Sequence, residues 1–124
     1  MRTIFIISGL IILAGGGVLW RSLRMPSQFG EFTGAPKVGI LEVIGKPEDF
    51  QHRTVALEDV ITKQCTTMGC YFYFVSGERE LRIDLQDVAM DAPKGRDGRR
   101  ARVEGRTVPY DRGYQFMASA VEFQ

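Results

Sequence analysis

The chain has 124 residues, with 16 Lys or Arg against 15 Asp or Glu, for a formal net charge of +1 at pH 7. This balance exerts no global pull toward nucleic acid or an anionic surface, and the length allows one small domain. One histidine and two cysteines fall short of the four ligands of a closed structural zinc site.

Residues 3–20 form an 18-residue stretch without a charge, bounded by Arg2 and by Arg21 and Arg24. At a helical rise this covers about 27 Å, close to the hydrocarbon thickness of a bilayer, and predicts a transmembrane anchor over residues 1–24. Gly15, Gly16 and Gly17 suit close contact with a neighbouring helix, and Trp20 suits the headgroup boundary. The competing reading is a cleaved signal peptide; Leu13-Ala14-Gly15 resembles a lipoprotein signal, but no cysteine follows. Flanking Arg residues do not decide orientation. The close cysteine pair favours an oxidising compartment, hence a single-pass protein of the cytoplasmic membrane with its C-terminal domain outside, in the periplasm.

Residues 25–37 carry Pro26, Gly30, Gly34 and Pro36 with no sustained period and read as a linker. Phe29 and Phe32 are unusual in a free tether. Either they cap the core of the following domain or they dock on a partner near the membrane.

Residues 38–124 read as an all-β domain. A short apolar segment over residues 38–44 stops at Gly45-Lys46-Pro47, and residues 47–50 suit one helical turn with proline at its start. A first long strand is expected over residues 53–65, with a bulge near Asp59 where the alternation is interrupted. The second, over residues 70–75, places Cys70, Phe72 and Phe74 on one face and Tyr71, Tyr73 and Val75 on the other. Leu81, Ile83 and Leu85 alternate with Arg82, Asp84 and Gln86 in a third, whose charged face is expected to be wet. A Gly- and Pro-containing stretch over residues 87–98 leads to a fourth strand over 100–108 and a fifth over 114–123. Three hairpin-linked strands, a longer connection and two more strands match the order of an OB-fold, a five-stranded, partly open Greek-key barrel.

Cys65-Thr66-Thr67-Met68-Gly69-Cys70 holds both thiols at a strand boundary. A disulfide between Cys65 and Cys70 closes a six-residue loop and contributes roughly 2 kcal/mol by the chain-entropy estimate. Copper(I), content with two or three soft ligands, is the alternative, using Cys65, Cys70 and Met68. A thiol–disulfide catalyst is disfavoured by the spacing and by the lack of a following helix N-terminus.

The segment Ile61-x-Lys63-x-Cys65-x4-Cys70-aromatic, then Leu81-x-Ile83-x-Leu85 and Gly98-Arg99-Arg100-Ala101-Arg102-Val103-Glu104-Gly105, resembles a family of small bacterial OB-like domains of unknown function. The likeness spans residues 53–105. It implies an OB-like fold and export from the cytoplasm. Asp59 stands where that family often has glycine, and Tyr71 where it often has tryptophan.

The basic run Lys94, Arg96, Arg99, Arg100, Arg102 and Arg106, with Tyr71 and Tyr73, raises nucleic-acid binding, but Asp91, Asp97 and Glu104 interleave with it and a solvated face is the simpler reading. Enzyme signatures are scarce: His52 has no nearby nucleophile motif, and Glu58 and Asp59 point to opposite faces of a strand. The expected role is therefore a non-catalytic accessory subunit of a larger membrane complex, of the respiratory or photosynthetic kind. Gly15, Gly16, Gly17, Trp20, Phe29, Phe32, Tyr71 and Tyr73 would contact partner subunits or lipid. No cofactor, small-molecule substrate or nucleic acid is expected; the alternative is a tethered copper- or thiol-handling domain.

Overall fold

A computed structural model describes residues 27–66, 70–89 and 92–124. The expected membrane helix, with Gly15, Gly16, Gly17 and Trp20, lies outside them. Among the described residues no helix is long and apolar enough to cross a membrane.

The elements in chain order are β1 (Gln28–Gly30), α1 (Ile40–Gly45), a 3-10 turn (Pro47–Phe50), β2 (Val55–Thr62), β3 (Tyr71–Ser76), β4 (Arg79–Asp84), β5 (Arg100–Tyr110) and β6 (Gly113–Phe123). Strands β6, β4, β3, β2 and β5 are neighbours in that order, and β5 returns to β6, closing a five-stranded barrel. All its pairings are antiparallel except β4 with β6, which is parallel. This order is consistent with an OB-fold.

Alternation sets what fills the barrel. Phe72 and Phe74 of β3, Leu81 and Ile83 of β4, Ala101 and Val103 of β5, and Phe116, Ala118 and Val121 of β6 are all buried. Phe72 meets Phe74 edge-on at 5.2 Å between centroids and Phe123 at 6.2 Å. Each fully buried phenylalanine contributes roughly 1.5–3 kcal/mol relative to exposure.

Three sequence expectations are corrected. The bulge is not at Asp59: β2 pairs with β5 without a slip from Val55↔Gly105 to Val60↔Arg100. Positions 55, 57, 59 and 61 share one face, so Asp59 is a polar residue in phase; it is half-buried, and its Oδ1 accepts from the Val60 N–H at 2.7 Å. The register shift lies instead between Glu104 and Gly105, where β5 pairs with β6. A Cβ at Gly105 would collide with the Met117 carbonyl, so only glycine fits this crossing.

Secondly, the apolar segment over residues 38–44 becomes helix from Ile40. Ile40 and Val43, three apart, are buried and Ile44 packs beside them, so one helical face covers the core. Thirdly, the outer face of β4 is wet only in part: Glu80 and, just past the strand, Gln86 are exposed, but the Arg82 side chain is 19% exposed and that of Asp84 7%.

From Gln28 onward the segment read as a linker is knitted into the barrel. Gln28, Phe29 and Gly30 pair with Glu122, Val121 and Ala120 of β6. Phe29 packs against the core and meets Phe123 edge-on at 6.2 Å. The Glu104 carboxylate then gathers the next turn: Oε1 accepts from the Thr33 N–H and Oγ1–H, each at 2.8 Å, and Oε2 from the Gly34 and Ala35 N–H groups, each at 3.1 Å. The Val38 N–H donates to the Ala56 carbonyl at 2.9 Å, and the Ala56 N–H to the Pro36 carbonyl at 2.8 Å.

Candidate functional site

Two features stand out, and they meet at the start of β3. The first is the cysteine loop. Lys63 takes a left-handed φ of 49°, turning the chain out of β2 into the loop. Gln64, itself buried, then fastens the loop to the segment before β5. Its Nε2 donates to the Pro93 carbonyl at 2.6 Å, its Oε1 accepts from the Arg96 N–H at 2.8 Å, and its own N–H donates to Asp97 Oδ1 at 3.0 Å. The Cys65 N–H donates to the Tyr71 carbonyl at 2.9 Å, and the Leu85 N–H to the Cys70 carbonyl at 2.8 Å. The two backbones are thus held on both sides of the turn, and both side chains are half-buried.

The Cys65 and Cys70 Sγ atoms lie 3.7 Å apart. That is sulfur–sulfur contact, beyond the ~2.05 Å of a disulfide bond. Burial, and then the adjacent Cys65 thiol, pushes the Cys70 thiol up from its ordinary pKa. Met68, the third copper ligand of the sequence reading, lies outside the described residues.

The second feature is an aromatic patch on the outer surface of β3, β4 and β5. The Arg82 guanidinium sits 3.9 Å from the Tyr71 ring centroid and 4.9 Å from that of Tyr110. Its Nε donates to Gln115 Oε1 at 3.0 Å, and its Nη2 lies 3.9 Å from Asp84 Oδ2. Burial works against the Arg82 charge, but contacts with Tyr73 and Tyr110 and the Asp84 carboxylate outweigh it, so its pKa is raised. Tyr71 meets Tyr73 edge-on at 6.0 Å, and Lys63, ion-paired to Glu80 at 2.7 Å, reaches to 5.8 Å from the Tyr73 ring. Tyr110 and Tyr114 are 44% and 36% exposed. Tyr114 also lines a shallow groove of about 210 Å³ with Ile44, Pro47, Glu80 and Leu81.

Of the residues singled out by sequence, Tyr71 and Tyr73 lie together on this patch, with the thiols next to it in the chain. Phe29 and Phe32 lie elsewhere: Phe29 on the core edge, and Phe32 half-buried under the Arg102 guanidinium at 4.3 Å. The basic run is largely engaged by its own neighbours. Arg100 pairs with Glu58 at 3.6 Å and Arg102 with Glu122 at 3.6 Å. Arg99 donates to the Gln124 carbonyl and Arg106 to that of Gln51. His52 is exposed. A surface depression of about 450 Å³ lies against α1 and the 3-10 turn, lined by Leu41, Lys46, Phe50 and Arg53, away from tyrosines and thiols alike.

Sequence reasoning missed Arg82, Tyr110, Tyr114 and Gln115. The signal for Arg82 was present: hairpin pairing sets it opposite Tyr73 and diagonal to Tyr71. Tyr110 and Gln115 reach it only because β5 and β6 close the barrel. No protein-family model matches the chain, and no curated protein matches it.

Proposed function

We propose that the chain is a non-catalytic accessory subunit of a larger membrane assembly, tethered by its N-terminal apolar segment. In this reading its extracytoplasmic OB-like barrel binds a protein partner through the tyrosine patch. The observation that carries the reading is the Arg82 guanidinium held against Tyr71 and Tyr110, with Tyr110 and Tyr114 open to solvent. Tyrosine and arginine are the side chains enriched at interface hot spots, and a guanidinium already stacked in the folded domain loses little further freedom on binding. β3 and β4 are the second and third strands of the barrel, the face that OB-folds use for ligands. The engagement of the basic run with Glu58, Glu122 and carbonyl groups argues for a protein over a nucleic acid.

The test is purification of the tagged full-length chain from membranes in gentle detergent, with cross-linking and mass spectrometry, beside the double variant Tyr110→Ala with Tyr114→Ala. Loss of about 2 kcal/mol at a hot spot is roughly a thirtyfold weakening and should remove the partner from the eluate. Both rings are exposed, so the barrel should melt close to the wild-type temperature. Unchanged recovery of the partner refutes the reading, as does salt-sensitive binding to single-stranded oligonucleotide that the same variant abolishes.

A further inference from the structure

The partner-binding reading leaves the thiol pair unused, although its loop is fixed at both ends. We propose that Cys65 and Cys70 form a two-thiolate binding site for a soft monovalent cation, copper(I). The spacing is the first argument. With metal–sulfur bonds of about 2.3 Å, sulfurs 3.7 Å apart subtend about 107° at the metal. That is the angle of one edge of a trigonal or tetrahedral site, and far from the 180° of a linear two-ligand complex. The pair can therefore chelate without the loop opening.

The donor set is the second argument. Two thiolates are soft ligands and select a soft ion, whereas zinc in a closed site takes four. Among the described residues no three His, Cys, Asp or Glu side chains are grouped to hold a metal, and copper(I), unlike zinc, is content with two or three soft ligands. The third argument is preorganisation. The Cys65 N–H bond to the Tyr71 carbonyl, the Leu85 N–H bond to the Cys70 carbonyl and the Gln64 strut hold both sides of the turn before any ion arrives.

Binding is a proton exchange and balances without an oxidant: two thiols and one Cu⁺ give a bis-thiolate complex of charge −1 and release two protons.

The experiment uses the full-length chain in detergent, reduced and kept anaerobic, titrated with Cu(I) against a chromophoric Cu(I) chelator. We expect one copper per chain, close to two protons released per copper at pH 7, and sulfur-only scattering in the first shell by X-ray absorption. Cys65→Ser and Cys70→Ser should each weaken retention on the order of a hundredfold or more, exceeding the 10–100-fold typical of changes outside the first shell. Circular dichroism of both variants checks that the barrel persists. Failure to hold copper against the chelator overturns the proposal. So does equal retention by a folded serine variant, or displacement of Cu(I) by equimolar Zn(II).

Discussion

The Glu104 carboxylate is where a single atom change should matter most for the fold. Replacing it by glutamine keeps the size and removes the charge. One of the two acceptor oxygens becomes an NH2 group facing N–H donors of Thr33 or of Gly34 and Ala35. Hydrogen bonds to a charged group contribute about 1.5–3 kcal/mol each, and a buried donor left unpaired costs about 1–3 kcal/mol. Thr33 and Gly34 are themselves exposed, so water recovers part of the loss. We therefore expect Glu104→Gln to destabilise by about 3 kcal/mol, or on the order of 10–20 °C in Tm for a domain this size. The pH dependence identifies the cause. Burial alone would raise the carboxyl, but the bonds from Thr33, Ala35 and Gly34 prevail and lower its pKa from the ordinary 4.5. A group with a depressed folded value contributes stability that is fully present above its unfolded value and is lost as pH falls through the folded one. The gap between wild type and Glu104→Gln, measured by denaturant unfolding, should be full at pH 7 and narrow below about pH 4.5. A variant within about 0.5 kcal/mol of wild type at pH 7, or a gap unchanged at pH 3, refutes the assignment.

Gly105→Ala should be among the most damaging substitutions in the barrel, at about 3 kcal/mol or more, because its Cβ meets backbone of β6 that cannot swing away; a melting temperature within a few degrees of wild type would contradict the crossing described above. Phe29→Ala and Phe32→Ala should separate in thermal unfolding. The first removes a ring packed on the core and should cost about 2–3 kcal/mol, the second loses a cation–π contact worth about 1 kcal/mol or less; equal effects would mean that Phe29 is not seated there.

The local part of the fold was legible. Phe72 with Phe74, and Leu81 with Ile83 and Leu85, mark their strands because a half-buried strand repeats every two residues. The proline-led turn at Pro47–Phe50 was likewise readable from its first residue. What failed was whatever depended on distant neighbours. Arg82 reads as solvated until β5 and β6 bring Tyr110 and Gln115 over it. Residues 28–37 read as a tether because β1 has three residues, too few to show a period, and because its partners in β6 lie 90 to 94 positions away. Six residues of α1 are likewise too few to separate helix from strand by pattern. At the candidate site the thiols and two tyrosines were visible in sequence, whereas the guanidinium that organises the rings was not.

The parallel junction of β4 and β6 has a mechanical consequence. It is the barrel's shortest ladder beside the β2–β3 contact, with Ile83↔Phe116 and Asp84↔Met117 as its register, and it joins segments 33 positions apart. Contacts of that separation form late, after the loop between them has closed, and a barrel that breathes is apt to part along such a seam. Arg82 straddles it: its backbone belongs to β4, its Nε is tied to Gln115 of β6, and its guanidinium rests against Tyr110 of β5. A ligand gripping this side chain therefore clasps both lips of the seam. Occupancy of the patch would be felt as slower amide exchange at Phe116 and Met117, across the seam from the strand that carries Arg82.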